Sequence, residues 1–178
     1  MTEVFIKLKK EGLTTLNPNK LLFKNLSTFL ALGFGSGLSK KAPGSLGTLM
    51  AIPFFLLIQD LIQPLIILFI ITMFFVGIYV SDQTSGALKI KDPSCIVIDE
   101  IVGFLLLLML IQNQVETFFY PTLLAFILFR IFDIWKPFPI NILEEKFEGG
   151  FGIMIDDIGA ALYAYIIFLL IYYLPVLI

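Results

Sequence analysis

Residues 96–111 read IVIDEIVGFLLLLMLI, an acidic pair, Asp99-Glu100, set in a run that is otherwise apolar. Apolar residues fall on every side of a 3.6-residue period here, so the run has no polar face to turn toward water. Ile101 to Ile111 covers 11 residues, or about 16 Å of helix at 1.5 Å per residue, against roughly 30 Å of hydrocarbon in a bilayer. A helix built on this run must therefore begin before Ile101, and it carries Asp99 and Glu100 into or just beneath the headgroup layer. An ionised side chain at that depth is costly unless it faces a protein cavity, a cation or a metal. The bland alternative is a pair hydrated by headgroup water.

The rest of the chain repeats the pattern. Of 178 residues, 58% are hydrophobic and 15% charged, and the mean hydropathy is +0.97, beyond what a soluble domain of this size carries. Further apolar segments run over Leu46 to Ile58, Leu65 to Val80, Phe118 to Ile134 and Ile158 to Leu174. The expected fold class is all-α, a polytopic membrane helical bundle of about five membrane helices. Four is the alternative count, because Pro53 interrupts the first segment and glycines open it, so that it could re-enter rather than span. The segments Gln59 to Pro64 and Gln112 to Glu116 hold no Lys or Arg, whereas Lys40, Lys41, Lys89, Lys91, Lys136 and Lys146 lie in the other connections. Cytoplasmic loops retain such cations. The two bare linkers should face outward, and Ser81 to Cys95 and Trp135 to Asp157 should lie in the cytoplasm. Residues 1–25 are expected to be a cytoplasmic N-terminal tail without a signal peptide, and residues 26–178 a single membrane-embedded domain without internal repeats.

Fourteen acidic residues are present, and apart from Glu3 and Glu11 in the tail only Asp60 and Glu116 fall on the outward side. Acids do not obey the positive-inside rule, so their gathering on one side calls for a shared site. Arg130, Asp133 and Lys136 recur at steps of three, placing cation and anion on one helical stripe; a plain ion pair is the simpler reading. After Pro139 a polar loop closes in Gly149-Gly150-Phe151-Gly152, whose glycines permit a turn, and Asp156-Asp157 should open the last helix, where acids favour the N-terminus. The stretch from Gly33 to Thr48 alternates glycine, hydroxyl and lysine before a helix. Its backbone amides, with Lys40 and the hydroxyls of Ser36, Ser45 and Thr48, could cradle phosphate oxygens, although a generic glycine-rich connector fits as well.

Several chemistries are excluded. A net charge of -2 and a pI near 5.1 leave no basic footprint for nucleic acid. The chain has no histidine and one cysteine, Cys95, which removes Ser-His-Asp triads, His-containing zinc sites and intramolecular disulfides. Ile101 stands where a cysteine-phosphatase loop needs arginine. Carboxylates and cations remain, and hard oxygen ligands on one side of a membrane suit Mg²⁺ with a substrate phosphate.

With these residues laid out, the chain resembles the phosphatidylglycerophosphatase A family over roughly Leu32 to Ala164. The carriers are Gly33 to Gly37 with Pro43-Gly44-Ser45-Leu46-Gly47, Asp92-Pro93 with Ile98-Asp99-Glu100 and Gly103, Phe129 to Ile140, and Gly149 to Asp157. The resemblance implies a Mg²⁺-dependent phosphatase of the bacterial inner membrane, its active site facing the cytoplasm, that hydrolyses phosphatidylglycerophosphate to phosphatidylglycerol and phosphate. By resemblance Asp99, Glu100, Asp133, Asp156 and Asp157 are metal ligands or the general base, and Arg130 and Lys136 hold phosphate. Phe138 stands where many members are expected to have tryptophan. The rival readings are another membrane lipid phosphotransferase, whose Asp-Gly…Ala-Arg signature is absent, and a carboxylate-lined carrier, which needs charges near the midplane.

Overall fold

The computed structural model describes Pro18 and residues 25–115 and 117–173, without the side chains of 143–145. All of the expected tail except Pro18 and Asn25 lies outside the described residues, as does Glu116 in the second outward linker. The order of elements is α1 (Leu26–Ala31), a 3₁₀ segment (Gly33–Leu38), α2 (Pro43–Ile58), α3 (Gln63–Leu88), α4 (Ile98–Ile111), a 3₁₀ turn (Gln112–Gln114), α5 (Phe119–Trp135), α6 (Ile140–Lys146) and α7 (Gly149–Tyr173). Among the described residues every regular element is helical.

The run without a polar face becomes the central helix. Ten of the 14 residues of α4 are buried, and α2, α3, α5 and α7 all pack against it. The outer helices turn large apolar side chains outward: Leu68, Ile71 and Phe75 on α3 and Ile166 and Leu170 on α7 are exposed, the pattern of a surface facing lipid. α3 and α7 are long and apolar enough to cross a membrane. At 1.5 Å per residue their 26 and 25 residues extend about 39 and 37 Å.

Several boundaries differ from the sequence reading. Pro53 does not break α2, which is continuous from Pro43 to Ile58; a helix packed among neighbours tolerates the missing N–H. α3 continues through Leu88 instead of stopping at Val80, because Ser81, Thr84 and Leu88 are buried and α1 packs against this helix. It ends at Lys89, a left-handed cap with φ 56° whose N–H donates to the Gly86 carbonyl. The polar loop after Pro139 contains α6, fastened to α7 by the Tyr163 hydroxyl donating to the Phe138 carbonyl at 2.7 Å and by Ile140 filling the space beside Gly159.

The largest revision concerns the glycines before the last helix. Only Gly149 has a positive φ, 69°; Gly150 and Gly152 are helical, so α7 starts nine residues before Ile158. These glycines serve close packing rather than a turn. A Cβ at Gly150 would lie 2.8 Å from the Ile78 carbonyl carbon and 2.9 Å from the Asp82 amide nitrogen, so the start of α7 is pressed onto α3. Overpacking by one methyl costs about 1–3 kcal/mol. Gly150→Ala should accordingly lower the melting temperature in detergent by roughly 5 °C, while Gly86→Ala, where an added Cβ meets nothing within 4 Å, should lower it not at all.

Candidate active site

The starts of α2, α4 and α7, the end of α5 and the loop between α3 and α4 gather at one end of the bundle, around a cavity of about 230 Å³. Asp99 and Glu100 sit in the first turn of α4, where unpaired helix N–H groups favour negative charge. Asp157 meets them from α7. Since α7 begins at Gly149, Asp156 and Asp157 occupy its third turn rather than its start, and both are buried, which answers the expectation that they open the helix. One oxygen each from Asp99, Glu100 and Asp157 lie within 4.8 Å of one another. Asp99 Oδ1, Glu100 Oε2 and Asp157 Oδ2 are buried without a hydrogen-bond partner among the described residues. Buried carboxylate oxygens left in that condition cost several kcal/mol unless a cation meets them. Three hard oxygen donors so placed fit a divalent ion of the Mg²⁺ type.

A second layer of charge braces this triad. Arg130 Nη1 lies 2.5 Å from Asp133 Oδ2 and 3.5 Å from Glu100 Oε1, and donates to Thr48 Oγ1 at 3.3 Å. Its Nε, also buried, has no partner among the described residues. Lys136 Nζ donates to Asp156 Oδ2 at 2.6 Å, and Asp156 Oδ1 accepts from the Asp157 amide at 3.1 Å. Lys136 does not continue the stripe of Arg130 and Asp133, because it is the C-cap of α5 with φ 45°, and the left-handed turn swings it toward α7.

Asp99, Glu100, Asp133, Asp156, Asp157, Arg130 and Lys136 thus all line one cavity. The glycine-rich stretch contributes differently from its reading as a cradle of side chains. Lys40, Ser36, Ser45 and Thr48 are not among the lining residues; Ala42, Pro43 and Gly44 are. Lys40 is exposed and Ser45 half-buried. The Ser36 hydroxyl donates to the Gly33 carbonyl at 2.9 Å, closing its own turn. Thr48 is fully buried and donates to the Gly44 carbonyl at 2.9 Å, so its oxygen holds Arg130 instead of a ligand. Gly44 is required by proximity: a Cβ there would lie 2.9 Å from Arg130 Nη2 and would strike Glu100 Oε1. The start of α2, which has no side-chain cap, therefore presents backbone to the cavity.

Two residues matter to this geometry to which sequence reasoning assigned no role. Asp82 Oδ1 accepts from the Gly150 amide at 3.3 Å and anchors the start of α7, a long-range pairing with no signature in local spacing. Asp92 forms part of the cavity wall; its place beside Pro93, ahead of the Asp99-Glu100 pair, was the available signal. The lining then holds six carboxylates against two cations, and both cations are paired with carboxylates. A phosphate dianion cannot enter such a field unless positive charge comes with it.

The family described as phosphatidylglycerophosphatase A matches residues 29–172. A Haemophilus influenzae protein named phosphatidylglycerophosphatase A is 40% identical over 163 residues, covering 90% of this chain and 98% of the relative. The Escherichia coli protein of the same name is 39% identical over 142 residues, 80% of this chain and 81% of the relative. A Bacteroides thetaiotaomicron protein, 34% identical over 147 residues and covering 80% of this chain and 91% of the relative, bears the name "Putative phosphatidylinositol-3-phosphatase". No solved structure matches. With its carboxylate cavity lying inside the matched residues, the chain belongs to the phosphatidylglycerophosphatase A family and is an enzyme of the phosphatase class.

Proposed function

We propose that the protein is a Mg²⁺-dependent lipid phosphatase that hydrolyses phosphatidylglycerophosphate to phosphatidylglycerol and inorganic phosphate, a step of phospholipid biosynthesis. Two relatives carry that activity in their names, and the observation that carries the metal requirement is the triad of buried, unpartnered carboxylate oxygens on Asp99, Glu100 and Asp157. The reaction is set in the bacterial inner membrane, with residues 26–178 forming one catalytic domain. α2, α3, α4, α5 and α7 supply five crossings, and the cavity opens to the cytoplasm. The positive-inside distribution supports this orientation, since Lys40, Lys41, Lys89, Lys91, Lys136 and Lys146 all belong to the connections at the cavity end.

Asp99, Glu100 and Asp157 would hold the ion, which when bound neutralises phosphoryl oxygens and acidifies a water. Arg130 and Lys136, which line the cavity, would offer their cationic groups to the phosphomonoester, each steered by the carboxylate it is paired with. Backbone at the start of α2 closes the third side, where free helix amides favour phosphate oxygens. Water attacks phosphorus in line, its proton passes to one of the carboxylates outside the triad, Asp133 or Asp156, and the P–O bond to glycerol breaks as that proton is returned to the departing glycerol oxygen. Positioning and electrostatics do most of such work. Purified protein in detergent should release phosphate from phosphatidylglycerophosphate with Mg²⁺, lose at least about 99% of the rate in EDTA, and regain it on adding Mg²⁺ back. Undiminished turnover in EDTA would remove the ion from the reading, and no turnover under any condition would remove the substrate.

A further inference from the structure

A second chamber, of about 330 Å³, adjoins the catalytic cavity and shares Asp92, Ile153 and Asp156 with it as a common wall. Its own lining is different in kind. Phe147, Gly149 and Gly152 make it largely apolar and close to backbone, and its single cation is Lys91. Lys91 is exposed and has no ion-pair partner among the described residues, unlike Arg130 and Lys136 in the first cavity. The loop that presents it is held at both ends. The Ile90 amide donates to the Ser85 carbonyl at 3.2 Å, the Ile96 amide to Pro93 at 2.8 Å, and the Val97 amide to Ala31 at 2.9 Å. Phe147 is held by edge-to-face packing on Phe151, with ring centroids 5.0 Å apart, and Phe151 packs in turn on Phe74 of α3. The chamber therefore lies between the carboxylate cavity and an aromatic cluster that reaches the flank of α3.

We propose that this chamber is a subsite for the phosphodiester of the lipid substrate, with Lys91 as its cation. The inference rests on the reading above, in which the terminal phosphomonoester occupies the carboxylate cavity. In that substrate a second phosphate, the diester that joins the headgroup to diacylglycerol, follows one glycerol unit away. It carries a single negative charge and leads directly to apolar chains. A neighbouring chamber whose carboxylates, Asp92 and Asp156, are confined to the wall it shares with the first cavity, and whose remaining lining is Lys91 with apolar side chain and backbone, matches that chemistry, whereas a free phosphate or a short soluble monoester would fill only the first cavity. Lys91 is thus a specificity residue that favours a lipid carrying two phosphates in sequence.

The test uses full-length protein in mixed micelles of fixed composition. It reads the KM for phosphatidylglycerophosphate together with two inhibition constants. Phosphatidylglycerol carries the diester without the monoester, and inorganic phosphate resembles the monoester without the diester. Lys91→Ala should raise the KM and the inhibition constant of phosphatidylglycerol about tenfold each, move that of inorganic phosphate less than twofold, and leave kcat within about threefold; Lys91→Arg should restore both raised constants. Lys91→Glu should weaken phosphatidylglycerol further. The proposal is overturned if inorganic phosphate weakens as much as the lipid, which would place Lys91 at the catalytic cavity or in the fold. It is equally overturned if neither lipid constant moves. Absence of turnover in the unaltered protein is a separate result, which removes the reading of the substrate.

Discussion

Asp157→Asn is expected to reduce phosphate release by at least about a thousandfold, roughly 4 kcal/mol of barrier, without loss of the fold. Asp157 is 2% exposed, and its carboxylate is one of three that each offer an oxygen within 4.8 Å of the others. The amide keeps the shape and removes the charge, so what disappears is affinity for the divalent ion and little packing. Stability supplies a second readout. In EDTA the three carboxylates repel one another in a buried site, and the variant should melt at a higher temperature than the unaltered protein because one buried charge is gone. Adding Mg²⁺ should raise the melting temperature of the unaltered protein and leave that of the variant nearly unmoved. A variant that still responded to Mg²⁺ would exclude Asp157 from the ligand set.

Arg130 carries the second large effect. Its guanidinium reaches Asp133, Glu100 and Thr48 from one position, a fork that lysine, a single point charge, cannot reproduce. Arg130→Lys should lower kcat about a hundredfold while the melting temperature falls by only a few degrees. Arg130→Ala goes further, because Glu100 and Asp133 are then left as uncompensated, mostly buried charges. Breaking a buried pair from one side costs about 3–5 kcal/mol, so the melting temperature should drop by about 10 °C. Removing the stranded charge as well, in Arg130→Ala with Asp133→Asn, should recover part of that stability and none of the activity. If both single variants kept normal kcat, Arg130 would be a structural brace alone.

The convergence of acids was legible because it left a trace in one dimension. Asp99, Glu100, Asp133, Asp156 and Asp157 all fell on the side of the lysine-bearing connections, and residues 96–111 were too short to span without drawing the acidic pair into the protein. The geometry of the glycines was not legible in this way. Gly150 and Gly152 read as turn formers, yet they lie in α7 because backbone of α3 and of Phe147 passes too near for a side chain, a constraint that exists only after the helices meet. The same holds for Thr48. A hydroxyl near glycines and lysines suggests phosphate, and only packing shows it turned inward to the Gly44 carbonyl and Arg130. Lys136 was placed on the right side of the bundle, but its left-handed cap geometry, which joins it to Asp156, has no local signature.

The most direct measurement of the central claim is the position of an anomalous-scattering Mn²⁺ ion in crystals of the protein grown without phosphate. Manganese shares the octahedral oxygen preference of magnesium. A peak is expected within coordination distance of carboxylate oxygens from Asp99, Glu100 and Asp157, abolished in Asp157→Asn. A peak confined to other carboxylates, or none with these three side chains ordered and empty, would contradict it.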